Sequence, residues 1–160
     1  MRRWVLSKKD KKKLLKKIKE ELPLLDINIV KEGTVEYLTE NNIEMILVDS
    51  IPAFILLNNR IIPHLKFLLN KGVEWLPVVK VDEGAVGPIS RGADLMRPGI
   101  VEIKNKFGSG DIVVIIEPRR ELPLAVHEAL FDSETIIGMK RGKVSKRLHH
   151  IGDMFWRLVS

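Results

Sequence analysis

The sequence has 160 residues, 45% of them hydrophobic and 30% charged, with a net charge of +6 and no cysteine. That length holds one ordinary domain or two small ones with a real core. The lack of cysteine removes disulfides, thiolate nucleophiles and zinc ribbons together. The longest apolar stretch, Ile43 to Leu57, is interrupted by Glu44, Asp49, Ser50 and Pro52, far from the roughly 20 apolar residues of a membrane span. The basic N-terminus lacks the apolar run of a secretory signal, so a cytoplasmic protein is expected, with no membrane partner. Lys, Glu and Ile are abundant and glutamine is absent, a leaning shared with thermophilic proteins. A basic balance favours polyanionic partners, because phosphate contacts release counterions.

Ser7 and Asp10 have capping-box spacing and open a helix. Leu14, Leu15, Ile18 and Leu22 then share one face, lysines from Lys8 to Lys19 cover the rest, and Pro23 stops it. The lysines are either a solvated face or an electrostatic platform for RNA or an acidic partner. Short β-prone runs follow at Ile27–Val30, Thr34–Leu38, Ile43–Val48 and Ala53–Leu57, separated by Glu32-Gly33, Asn41-Asn42 and Asp49-Ser50, and predict an antiparallel meander. A second helix, with Pro63 near its first turn, carries Leu65, Leu68 and Leu69 and stops at Lys71-Gly72; His64 in it is expected at the surface or as a cap.

Trp75-Leu76-Pro77 reads as a junction. Strands are expected at Val78–Val81, Ile100–Ile103, Asp111–Ile116, Leu122–Leu130, Thr135–Met139 and Gly152–Val159, a spacing that suits a small barrel.

Between the first two of these strands, Asp82 can cap a short helix running through Ala85, Val86 and Ile89. Gly92 falls where a helix C-cap needs positive φ, and Pro98-Gly99 turns the chain into the next strand. Such a glycine-bounded loop leaves backbone N–H groups open to a phosphate or base edge. Arg91 and Arg97 add forked donors beside it. Neither the Rossmann nor the P-loop glycine pattern occurs.

The pattern V-D-x-G-A-V…G-A-D-L-M-x-P-G-I over Val81–Ile100 resembles the signature of the PUA domain, and the resemblance extends to about Val159. It implies an RNA-binding pseudo-barrel whose loop, preceding helix and last strand face RNA, here Gly84–Ile89, Gly92–Ile100 and His149–Trp156. The preceding half, with Ile43–Val48, Ala53–Leu57, Pro63–Leu69 and Leu76-Pro77, and the ending His149–Trp156 are similar to the malignant T-cell-amplified protein family, which joins a pre-PUA domain to a PUA domain. That resemblance implies a translation factor near the small ribosomal subunit, with a partner like density-regulated protein. The missing cysteines depart from some eukaryotic members.

Of the other clusters, His149 and His150 are adjacent on a strand and point to opposite faces, which argues against a shared metal. Trp156 either anchors the barrel or stacks on a base. Lys140, Arg141, Lys143, Lys146 and Arg147 cluster around Gly142 as a solvated turn or an RNA contact. No nucleophile has a convincing base, so no enzyme, cofactor or metal is expected.

The expected fold is α+β, an α/β pre-PUA domain over residues 1–74 and a PUA β pseudo-barrel over residues 75–160. The expected RNA site, for rRNA or tRNA, is Gly84, Arg91, Gly92, Ala93, Asp94, Leu95, Met96, Arg97, Pro98, Gly99, Lys140, Arg141, Lys143, Lys146, Arg147, His149 and Trp156. An accessory role in an RNA-modifying system, or an adaptor role for the basic helix, are the alternatives.

Overall fold

Asparagine and aspartate tolerate left-handed backbone, and three pairs of turn residues exploit this. Asn41-Asn42, Asp49-Ser50 and Asn58-Asn59 all have φ between 50° and 68°, the double left-handed geometry of two-residue type I′ hairpins. In the computed structural model, which describes residues Met1–Val159, they join β2 (Val35–Glu40), β3 (Ile43–Val48), β4 (Ile51–Leu57) and β5 (Arg60–Pro63). With β1 (Arg2–Val5) at the edge, these strands form one antiparallel sheet in sequence order. Helix α1 (Lys8–Glu21) is capped by the Ser7 hydroxyl, which accepts from the Asp10 N–H at 3.1 Å. Its Ile18 is fully buried, as are Phe67 and Leu68 of α3 (Leu65–Lys71).

The second sheet has six strands: β6 (Val78–Val81), β7 (Leu95–Met96), β8 (Ile100–Lys104), β9 (Ile112–Ile116), β10 (Pro123–Ala129) and β11 (Lys143–His150). Their order is β7-β11-β10-β9-β6-β8, and the β6–β9 pair is parallel while the others are antiparallel. Helix α4 (Glu83–Ser90) follows β6, α5 (Ser133–Gly138) follows β10, and α6 (Met154–Leu158) follows β11.

The two sheets share a core. One apolar cluster contains Phe54, Leu65 and Phe67 from the first half together with Val78, Ile112, Val114, Ile116, Val126 and Phe155 from the second. A second cluster, with Val79, Val81, Ile89, Val113, Ile115 and Val144, fills the barrel. Successive side chains of a strand point to opposite faces, so β9 serves both cores at once. Its unbroken apolar run follows from that.

Three expected strands are helical. Residues Asn28–Lys31 form α2, begun by the Asp26 carboxylate accepting the Asn28 N–H at 3.1 Å. Asp132 caps α5 through the Thr135 N–H at 2.7 Å, and Asp153 caps α6 through the Trp156 N–H at 2.9 Å. At α5 and α6 the N-cap aspartate satisfies a first-turn N–H and so favours helix; at α2 the N-cap is Ile27, with no side-chain cap. Strands β1, β5 and β7 are additional, and the last strand is β11, not Gly152–Val159. Pro63 ends β5 and the helix behind it starts at His64, whose Nδ1 accepts the Lys66 N–H at 3.0 Å. His64 caps as expected but is buried, not at the surface. Among the described residues, no helix is long and apolar enough to cross a membrane.

Candidate nucleic-acid interface

The site is built on the way α4 ends. The Ala93 N–H donates to the Pro88 carbonyl at 3.0 Å and the Gly92 N–H to Ile89 at 3.1 Å. With Gly92 at φ +100°, this is the Schellman arrangement, which needs a left-handed residue at that point. Close approach demands glycine as well. A Cβ on Gly92 would lie 2.6 Å from Arg147 Nη1 and 2.8 Å from His150 Nε2. The loop and β11 therefore meet at this glycine.

Asp94 fastens the same contact. Its Oδ1 accepts the Arg147 N–H at 2.8 Å and its Oδ2 pairs with Lys143 Nζ at 3.0 Å. Burial alone would raise the Asp94 carboxyl; the Arg147 amide and the Lys143 ammonium outweigh it and hold the group below its ordinary value. His150 Nδ1 faces the Ser90 and Ile151 carbonyls at 3.0 and 2.8 Å. Both are acceptors, so Nδ1 carries a proton, and the Nε2 edge of the ring lies against Gly92. A bulge between Val126 and His127 shifts the β10–β11 register, so that His127 lies opposite Arg147. Burial pushes His127 down to about 4; its Nδ1 meets Ser145 Oγ at 2.8 Å, and its Nε2 has no partner among the described residues.

Around this knuckle, Gly84, Arg91, Met96, Pro98, Lys140, Arg141, Lys143, Lys146 and Arg147 are exposed, and Ala93, Asp94, Arg97 and Gly99 are half-buried. Next to it an open groove of about 390 Å³ is lined by residues that include Arg147, His150, Gly152 and Arg157. His150 and Arg157 belong to this surface; His150 fell within the expected His149–Trp156 segment without being singled out, and Arg157 lay outside it. The only sequence cue for Arg157 was a lone positive charge after Trp156.

Several expected contacts have other employment. Leu95 is 2% exposed and sits in the barrel core, so its side chain cannot reach a ligand. The Arg97 guanidinium donates from Nε to the Ile136 carbonyl at 2.7 Å and from Nη2 toward Ile137 at 3.5 Å; it caps the end of α5. His149 is wholly buried. The Leu65 N–H donates to His149 Nε2 at 3.0 Å, which leaves His149 Nδ1 to donate to Asp153 Oδ2 at 2.8 Å. His64 Nε2 faces the Phe155 carbonyl at 3.2 Å, and burial, then the neighbouring His149, pushes His64 down to about 3. Trp156 is half-buried, stacked at 6.4 Å from His64 with Lys66 Nζ 5.0 Å from its ring. The His149–Trp156 ending therefore fastens β11 and α6 to the start of α3. Asp153 accepts from His149, His150 and Trp156, which leaves it no freedom to hold a metal with the histidines.

A PUA domain model matches residues 77–151, and a model for a domain of unknown function (DUF1947) matches residues 2–71. An uncharacterized protein of Methanocaldococcus jannaschii is 36% identical, covering 97% of this chain and 95% of its own. Translation machinery-associated protein 20 of Saccharomyces cerevisiae is 31% identical over 91% of this chain and 84% of its own. This chain belongs to the same two-part family of PUA proteins. The crystal structure of a PUA domain protein from Aeropyrum pernix, in a tartrate complex, superposes with a TM-score of 0.87 at 30% identity, covering 99% of this chain and 90% of that one. The PUA half alone is also similar to probable tRNA pseudouridine synthase B of Thermococcus gammatolerans, 35% identical over 46% of this chain and 22% of the synthase. The Gly92 loop and all of β11 lie inside the PUA match; α6 lies beyond it.

Proposed function

We infer that this protein is a non-enzymatic RNA-binding factor of translation that acts in the cytoplasm. Its RNA would be rRNA or tRNA, held on the face built by α4, the Gly92 loop and β11. The proposed division places the pre-PUA domain at residues 1–74 and the PUA domain at residues 75–160. One observation carries the reading. At Gly92 the absence of a side chain brings Arg147 and His150 against loop backbone, inside a surface where Arg91, Lys140, Arg141, Lys146 and Arg147 are exposed. Backbone approach together with unspent arginine forks suits phosphate and splayed bases. The kinship with translation machinery-associated protein 20 supports a role in translation; within it, the small ribosomal subunit and a partner like density-regulated protein are the proposed contacts, following the resemblance to the malignant T-cell-amplified protein family.

A filter-binding titration on a structured RNA tests the face. Arg91→Ala with Arg147→Ala is expected to weaken binding and lower the salt slope by about 1.5, since each phosphate contact contributes about 0.7–0.9. An unchanged affinity and slope would remove this face from consideration. Arg97→Ala is expected to act on stability instead, through the lost α5 carbonyl contacts. The likeness to the synthases favours a second reading, an accessory module for RNA modification. Co-purification with a modifying enzyme instead of ribosomal subunits would select it.

A further inference from the structure

Helix α1 carries lysines that the fold does not use. Lys17 pairs with Glu21 at 3.7 Å and Lys11 donates to the Gly33 carbonyl at 2.9 Å. Lys8, Lys9, Lys12, Lys13, Lys16 and Lys19 are exposed, and none of them has an acidic partner among the described residues. Their arrangement works against the helix. Lys8 and Lys9 in the first turn oppose the macrodipole, and Lys8–Lys12, Lys9–Lys13 and Lys12–Lys16 place like charges at i,i+4, where they repel.

Five of these lysines, from Lys9 to Lys19, line one open groove of about 520 Å³, and Lys31 at the end of α2 closes its other side. At about 1.5 Å per residue the row extends about 15 Å along α1. Leu15 and Ile27 form its floor, but both are half-buried against the shared core and neither is an exposed apolar residue. The remaining lining is lysine stem, which leaves each ammonium at the rim in water. An amphipathic helix needs a series of apolar anchor pockets, and this floor supplies none. A row of flexible point charges instead matches a phosphodiester backbone, whose binding is driven by released counterions and is indifferent to sequence.

We propose that the groove between α1 and α2 is a second RNA-binding surface, one that takes the phosphate backbone and reads no bases. It rests on the RNA-binding reading above and adds an electrostatic contact on the other half of the molecule.

The test uses the full chain and a short fluorescein-labelled RNA hairpin, followed by anisotropy across a salt series. Three proteins are compared: wild type, Arg91→Ala with Arg147→Ala, and Lys9→Gln, Lys12→Gln, Lys13→Gln and Lys16→Gln together. Glutamine keeps helix propensity, and thermal melts check that the quadruple variant is folded. The expected result is at least about a tenfold loss of affinity in the quadruple variant and a salt slope shallower by about 3. Hairpins of different loop sequence should lose equally. If the quadruple variant binds like wild type while the arginine pair is impaired, the lysine surface is only solvated and this proposal falls alone. Absence of hairpin binding by the wild type at low salt overturns both readings. Tighter binding of polyglutamate than of RNA carrying equal charge overturns it in favour of an acidic protein partner.

Discussion

Gly92 shows how one missing methyl group can hold a site together. Its positive φ and its contacts with Arg147 and His150 are separate demands, and a comparison separates them. Gly110 also has positive φ, +89°, but nothing lies within 4 Å of a Cβ placed there. Gly110→Ala is therefore expected to cost only the backbone term, about 1 kcal/mol. Gly92→Ala should cost distinctly more and weaken RNA binding, because Arg147 and His150 must move. Urea unfolding of both variants, with an RNA titration of each, checks this. The glycine was legible in the sequence as a helix C-cap, since that position needs only local geometry. The engagement of Arg97 and the burial of His149 were not. Both depend on residues far along the chain, Ile136 for the first and Leu65 for the second.

At the scale of elements, Asn41-Asn42 and Asp49-Ser50 marked their hairpins in the sequence; Asn58-Asn59 carries the same signal, yet β5 was not expected behind it. The three misassigned strands each lie behind an aspartate. Asp132 and Asp153 are N-caps, and Asp26 accepts the Asn28 N–H from one residue ahead of the Ile27 N-cap; short apolar runs behind an aspartate fit helix or strand until that local geometry decides. Two buried histidines, His64 in the clamp between α3 and α6 and His127 on β10, give the fold a pH signature. His64 and His127 titrate near 3 and near 4 in the fold against an ordinary 6.5. The unfolded chain thus binds more protons below about pH 6.5, so stability is full above that pH and declines as pH falls. Between about pH 5.5 and 4.5 each of the two histidines steepens the decline, by roughly 1 kcal/mol per pH unit. Asp153 adds to the loss at still lower pH, because the contacts that outweigh its burial, chiefly His149, hold its carboxyl below the ordinary value. Denaturant melts from pH 7 to pH 4 should show this decline, and His127→Asn should flatten part of it.

For the whole molecule, the sequence showed two halves of different texture but not their shared core, since nothing local says that Val114 and Ile116 face the first sheet. With Ile112, Val114, Ile116, Val126 and Phe155 packed beside Phe54 and Leu65, the halves are expected to unfold in one transition. Arg60 reinforces the contact, with Nη1 2.5 Å from Glu128 Oε1 and Nη2 donating to the Gly110 carbonyl at 2.8 Å. Ile116→Ala should cost about 2–5 kcal/mol and lower the midpoint of both halves alike. Trp4 beside Tyr37 and Trp156 beside His64 are the local fluorescence reporters. Two separated midpoints would contradict the shared core.

The double duty of β9 also bears on the order of synthesis. When residue 71 has been made, every strand of the first sheet exists, yet the apolar flank that β9 will cover has nothing against it. At roughly 5–20 residues per second, seconds pass before Ile112–Ile116 and then Phe155 are available. During that interval the nascent first half is a sticky intermediate, and its lysine-covered helix gives it a like-charged coat that keeps neighbouring nascent chains apart.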